Sequence, residues 1–315
     1  MVSYFTLDGA GEGAVNFQKE ISNMMHGFGD NPNPNAATVV LVESIVLQQL
    51  RNMLQDAWHW AQMRGVKVIT NYEVIFLMRK NKMKLKRLFD YQKKLDSIEK
   101  KQFVINNAEE GVMSGVLEEE SDPPSKKRRN HTDIIKDLDE QDEVLHIKFD
   151  VIDYLRKVRA AKISEIMSFE KYEAYHKARC SSFRSTGSGI NKNFAKLEKW
   201  INSGKEYKLM QSALEVLSFL AYETVADLVD AVFLIRQDAK KKSGDPFSKF
   251  EGGSFCNPAS LSNAVYIKSG FEGVSAITVA EIREVIRRFY TPTVGMNGLF
   301  SRNISSDISS KYIAI

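Results

Sequence analysis

The stretch from Ala37 to Lys80, ATVVLVESIVLQQLRNMLQDAWHWAQMRGVKVITNYEVIFLMRK, decides the fold. It reads as one long amphipathic helix, a short β-like segment and a short capped helix, with no Pro to interrupt it. Val42, Ile45, Val46, Leu50, Met53, Leu54, Ala57 and Ala61 follow the i, i+3, i+4, i+7 rule, so one face is apolar from end to end. Gly65 supplies a left-handed C-cap after Arg64. The helix then runs about 28 residues, which at 1.5 Å per residue is about 42 Å. Such a helix cannot bury its stripe alone.

After Gly65 the alternating run Val66-Lys67-Val68-Ile69 reads as a short edge strand. Thr70 can cap the next helix while Glu73 reaches back as the other half of a capping box. Val74, Ile75, Leu77 and Met78 line that helix, and Arg79 and Lys80 close it where cations favour the dipole. The same grammar returns as Ile277-Thr278-Val279-Ala280-Glu281-Ile282, with a second long apolar helix upstream, from about Leu209 to Gln237. Ile-Thr-x-x-Glu therefore occurs twice, each time behind a long helix, which points to two copies of one small fold.

Working outward, Phe17, Ile21, Met24, Met25 and Phe28 form a short first helix that Gly29 ends, and Asp30 to Pro34 forces a loop before the long helix. Short helix, loop, long helix, strand-like loop and short capped helix make up a histone fold, a half-core normally covered by a second one packed head to tail. Phe194, Leu197, Trp200 and Ile201 supply the matching short helix of the second copy. The fold class read from this pattern is all-α, with two histone folds in one chain paired with each other and joined by a flexible linker.

The expected organisation is a flexible N-terminus over 1–16, an N-terminal histone fold with a helical extension over 17–101, and an acidic linker with a basic cluster over 102–150. A helical connector over 151–189, a C-terminal histone fold over 190–292 with an insertion at 240–273, and a flexible tail over 293–315 follow. The pairing core is assigned to Val46, Leu50, Met53 and Ala57 of the first long helix and Leu217, Leu220, Val225, Leu228 and Val232 of the second. Two half-cores tethered by one linker favour pairing within the chain over a homodimer.

Composition narrows the function. The 315 residues suffice for two domains, and the net charge of +4 is too weak to demand nucleic acid as partner. No uncharged apolar run reaches the roughly 18 residues of a membrane span. Cys180 and Cys256 lie far apart without CxxC spacing, against a disulfide or metal framework. The five histidines show no paired-ligand spacing, and Gly9 to Gly13 lacks the strand and GK[S/T] of a phosphate loop. No catalytic residue, metal or cofactor is expected. Lys126-Lys127-Arg128-Arg129 reads as a nuclear import signal or as charge balance for its acidic neighbours. Lys82, Lys84, Lys86 and Arg87 read as a solvated helix face, with phosphate binding as the alternative.

Phe17 to Ser22 with Met24-Met25 and Phe28-Gly29-Asp30, then Val68-Ile69-Thr70 with Glu73 and Phe76 to Lys80, resemble a known family. So do Phe219 to Ala226, Arg236-Gln237-Asp238 and Gly244-Asp245-Pro246-Phe247. Together these words resemble the Spt-three family, the histone-fold transcription-initiation subunit of the SAGA coactivator. The resemblance implies an N-terminal copy like the TFIID subunit numbered thirteen and a C-terminal copy like the one numbered eleven. It also implies a nuclear, non-enzymatic protein that delivers the TATA-binding protein to promoters and docks with other SAGA core histone-fold subunits, without direct DNA contact. Glu223, Asp227 and Asp230, at i, i+4 and i+7, make an acidic stripe on the second long helix. It is either the solvated edge of that helix or, following the resemblance, the face that meets a basic surface of TATA-binding protein. On the second view Glu223→Lys weakens that binding and leaves the melting temperature nearly unchanged. The alternatives are a sequence-independent DNA-binding histone-like protein and a TFIID subunit.

Overall fold

Two long helices carry the fold in the computed structural model, which describes residues 15–109, 131–139, 141–184, 194–240, 274–290 and 312–315. These residues form eleven α-helices and no strand. They are α1 (Gln18–Phe28), α2 (Ala36–Met63), α3 (Asn71–Leu77), α4 (Lys82–Glu109), α5 (His131–Leu138) and α6 (Glu143–His146), followed by α7 (Val151–Ile166), α8 (Phe169–Arg179), α9 (Ala195–Ile201), α10 (Gln211–Lys240) and α11 (Val279–Tyr290). The chain divides into two compact units, one of Met1–Met53, Val151–Lys208 and Leu217–Ala314, the other of Leu54–Asp150, Leu209–Val216 and Ile315. All nine residues assigned to the pairing core are buried.

In the first unit, Phe17 packs its ring against Phe183 and Trp200 at centroid separations of 5.1 and 4.9 Å, and its N–H donates to Glu43 Oε1 at 2.6 Å. Helix α1 ends as its sequence requires, at Gly29 with φ of 116°, a left-handed value that costs glycine nothing. Two residues earlier, Gly27 lets α1 approach α8. A Cβ there would lie 3.1 Å from the Arg179 Cα and 3.3 Å from the Ala178 carbonyl oxygen. Tyr175 of α8 donates its hydroxyl to the Gly27 carbonyl at 3.2 Å, and its ring meets His26 edge-on at 5.3 Å.

The loop before α2 and the first turn of α2 are tied to the segment before α11. Asp30 Oδ1 accepts the Ile277 N–H at 2.9 Å, Asn31 Nδ2 donates to the Val274 carbonyl at 2.7 Å, and the Thr38 hydroxyl donates to the Ile277 carbonyl at 2.8 Å. In the second unit, Ile69 and Leu209 form a parallel β-bridge, with Met210 N–H donating to the Ile69 carbonyl at 3.0 Å. The expected edge strand at Val66–Ile69 is thus a single bridge, because α10 begins two residues after Leu209 and leaves nothing more to pair. At Ile277 even the bridge is absent. Side chains of Asp30 and Thr38 take its backbone groups instead.

The second unit closes α2 with Gly65 at φ of 71°. Gly65 and Val66 N–H donate to the Gln62 and Ala61 carbonyls at 2.9 Å each, the paired bonds of a Schellman turn. Thr70 and Glu73 form the capping box: Thr70 N–H donates to Glu73 Oε2 at 2.8 Å, and Tyr72 N–H donates to Thr70 Oγ1 at 3.2 Å. Arg64 pairs with the same glutamate, whose side chain is fully buried. The box recurs in the first unit, where Thr278 N–H donates to Glu281 Oε2 at 2.8 Å and Glu281 N–H to Thr278 Oγ1 at 3.3 Å. Here too an arginine from the end of the long helix grips the glutamate, with Arg236 Nε to Glu281 Oε1 at 2.6 Å. Burial alone would raise the Glu281 pKa, but the Arg236 bond and the Thr278 N–H together lower it. The repeated unit therefore includes an arginine as well as Thr-x-x-Glu. Thr70→Ala is expected to cost about 1 kcal/mol through the lost cap. A shifted denaturant midpoint with unchanged slope reads this, and an unmoved midpoint refutes it.

Two expectations need correction. The stretch expected to be linker holds α5 and α6, with Ile134, Ile135 and Val144 buried; α5 lies against α3 and α4, and α6 against α4. The expected flexible tail ends in residues that pack, since Tyr312 and Ala314 are buried. The basic cluster Lys126–Arg129, the glycines from Gly9 to Gly13 and the insertion from 241 to 273 lie outside the described residues.

Candidate functional site

Helix α7 brings two arginines, Arg156 and Arg159, to one face three residues apart, and that face meets the acidic stripe of α10. Arg156 Nη1 donates to Glu223 Oε1 at 3.1 Å, Nη2 to Asp227 Oδ1 at 2.7 Å and Nε to Asp230 Oδ2 at 2.6 Å. The i, i+4, i+7 spacing read from the sequence is what lets one planar guanidinium reach all three. Arg159 Nη1 donates to Asp230 Oδ1 at 2.7 Å and to the Phe28 carbonyl, an orphan acceptor at the end of α1, at 2.9 Å. Aromatic faces complete the cluster: the Arg156 guanidinium lies 5.9 Å from the Phe28 ring centroid and that of Arg159 lies 4.8 Å from Phe233.

The stripe is therefore not a solvated edge. Glu223 is only 4% exposed. Burial by itself would lower the Arg156 pKa, but the carboxylates of Glu223, Asp230 and Asp227 outweigh it and push it up. Three carboxylates against two guanidiniums leave these five side chains with a net charge of −1. It holds no nucleophile and no base positioned by a third group, so its chemistry is charge pairing. Among the described residues no group of three or more His, Cys, Asp and Glu could hold a metal ion. Sequence reasoning found the three acids and missed both arginines, whose partners lie 67 to 74 residues away in the chain.

The cations at the start of α4 are also paired. Lys82 Nζ lies 2.9 Å from Asp139 Oδ1 and 3.6 Å from Glu143 Oε2, Lys86 lies 3.1 Å from Asp90, and Arg87 Nη2 donates to Asp150 Oδ1 at 3.0 Å. Lys84 is buried. Neither a solvated face nor a phosphate-binding face describes them. Trp60 packs edge-on against Phe76 at 4.7 Å. No described helix is long and apolar enough to cross a membrane.

Comparison with known proteins gives these features a context. The family model for the transcription initiation factor IID 18 kDa subunit matches residues 15–106, the span that holds α1, α2, α3 and most of α4. The SAGA complex subunit Spt3 of Drosophila melanogaster is 27% identical over 312 residues, 96% of this chain and 74% of that protein. Protein SPT3 of Kluyveromyces lactis is 40% identical over 75 residues, 24% of this chain and 23% of that protein. The TFIID subunit 13 of Arabidopsis thaliana is 38% identical over 71 residues, 22% of this chain and 55% of that protein. Similarity to an Spt3 protein extends over 96% of the chain and so across both long helices, whereas similarity to the TFIID subunit is confined to 22% of it; the chain as a whole is similar to Spt3 proteins.

Proposed function

We propose that this chain is a non-enzymatic transcription coactivator subunit of SAGA, in which two histone folds pair within one chain and hold the TATA-binding protein for delivery to RNA polymerase II promoters. The observation that carries the pairing is reciprocal. The loop before the first long helix and that helix's first turn bond to the segment after the second, through Asp30 and Asn31 of the loop and Thr38 of the turn, and the segment after the first bonds to the segment before the second, through Ile69 and Leu209. That is the head-to-tail exchange two half-cores make when each covers the other. The pairing core proposed for it is Val46, Leu50, Met53 and Ala57 of the first long helix and Leu217, Leu220, Val225, Leu228 and Val232 of the second, all of them buried. The name of the Drosophila relative supports the assignment to SAGA, and its match over both long helices supports SAGA above TFIID. Pairing of the α4 cations with Asp139, Asp90 and Asp150 speaks against a DNA-binding histone-like protein. Nuclear residence follows from the role, with Lys126 to Arg129 as the import signal.

Affinity purification of the tagged chain from nuclear extract tests the assignment. Recovery of the acetyltransferase-containing coactivator with TATA-binding protein is expected, and recovery of TFIID subunits without the acetyltransferase would overturn it. The acidic stripe is the proposed contact, with basic side chains of TATA-binding protein exchanging for Arg156. Arg156→Gln should then strengthen binding several-fold by freeing carboxylates, while Glu223→Gln weakens it. Unchanged affinity in both removes the stripe from the interface.

A further inference from the structure

The segment Tyr312–Ala314 sits in a seat built by two other parts of the first unit. Gln49, near the middle of α2 and 3% exposed, uses both ends of its amide: Oε1 accepts the Ile313 backbone N–H at 3.1 Å, and Nε2 donates to the Tyr290 hydroxyl, at the end of α11, at 2.9 Å. Tyr312 is 8% exposed and Ala314 is fully buried, and Ile313 and Ala314 form a turn. A buried Gln in an apolar helix face needs partners for both amide ends. Here one partner fixes the amide plane and the other is the backbone of an incoming segment. That geometry recognises a peptide bond, with side-chain selectivity coming from an aromatic residue and a small residue two positions later.

We propose that Gln49 and Tyr290 form a binding seat for a short apolar peptide with an aromatic residue two positions before a small one, and that Tyr312–Ala314 is its resident occupant in cis. The occupant is a three-residue segment, so the area it can bury in the seat is small. Because the occupant belongs to the same chain as the seat, its binding is intramolecular and a free peptide has to compete with it. A partner peptide of the same chemistry would displace it, linking occupancy of the seat to release of the segment.

The test uses a fluorescent peptide of residues 309–315, read by anisotropy. The intact chain should bind it weakly, because the seat is filled. Full-length Tyr312→Ala should bind it saturably and at least tenfold more tightly, and adding Gln49→Ala to that variant should lower affinity at least tenfold. A chain ending at Lys311 should behave as Tyr312→Ala does. Failure of the emptied seat to bind the peptide, or binding indifferent to Gln49, overturns the proposal. Should both emptied chains prove unfolded, the segment is a fixed part of the core and the proposal equally falls.

Discussion

Arg156→Ala should destabilise the protein by about 3–5 kcal/mol, the range found when one partner of a buried ion pair is removed. Arg156 and Glu223 are almost wholly removed from water, and the Asp227 and Asp230 side chains are each about one-fifth exposed. Removing the guanidinium leaves Glu223 and Asp227 without it and crowds three like charges along two turns of α10, with Arg159 engaging Asp230 alone. The melting temperature should fall by about 10 °C at the few degrees per kcal/mol of a chain this long. Arg156→Lys should recover only part of the loss, since an ammonium is a point charge and cannot form three parallel bonds in the plane of a fork. A melting temperature within a degree or two of the parent for Arg156→Ala would show that the cluster contributes no net stability. By the same geometry Glu223→Lys sets a cation against Arg156 and cannot leave the melting temperature nearly unchanged, as an exposed stripe would have allowed.

What the sequence made legible was local. The ends of α1 and α2 were readable because Gly29 and Gly65 are the residues that adopt positive φ without cost, and the capping boxes because Thr and Glu three residues apart meet across one helical turn. The burial of the nine residues assigned to the pairing core was readable from helical periodicity. Illegible features all depend on distant partners. Helix α5 buries only a single turn through Ile134 and Ile135, below what periodicity can register, and forms where α3 and α4 cover it. The acidic stripe looked solvated because no pattern within α10 reveals a guanidinium waiting on α7. Equally, Gln49 gives no hint of the two groups its amide joins.

Asp30 should make stability fall as pH rises, opposite to the usual effect of a carboxylate. It is fully buried; Oδ1 accepts the N–H groups of Asn31 and Ile277 at 2.8 and 2.9 Å, while Oδ2 has no hydrogen-bond partner. Burial raises its pKa above 3.8, the two N–H bonds and the Arg236 charge oppose that rise, and Glu281 adds to it. A carboxyl with a raised folded pKa keeps its proton in the folded chain over a window where the unfolded chain has released it. Its stabilising contribution is complete below the ordinary value of 3.8 and is lost as pH climbs through the raised value. Neighbouring His26 acts in the other direction. Burial lowers its pKa below 6.5, against a bond to the Asp30 carbonyl, so stability is lost as pH falls below 6.5. Asp30→Asn separates the two: its amide oxygen still accepts both N–H groups, so the variant should match or exceed the parent near pH 7 and its advantage should shrink towards pH 4. Asp30→Ala leaves the buried Ile277 N–H without its acceptor and should cost about 2–4 kcal/mol across the range. Denaturant titrations of the three proteins from pH 4 to pH 8 decide the matter. A constant difference between the parent and Asp30→Asn would mean that the buried carboxyl does not change protonation on folding, and that the segment before α11 is held by its hydrogen bonds alone.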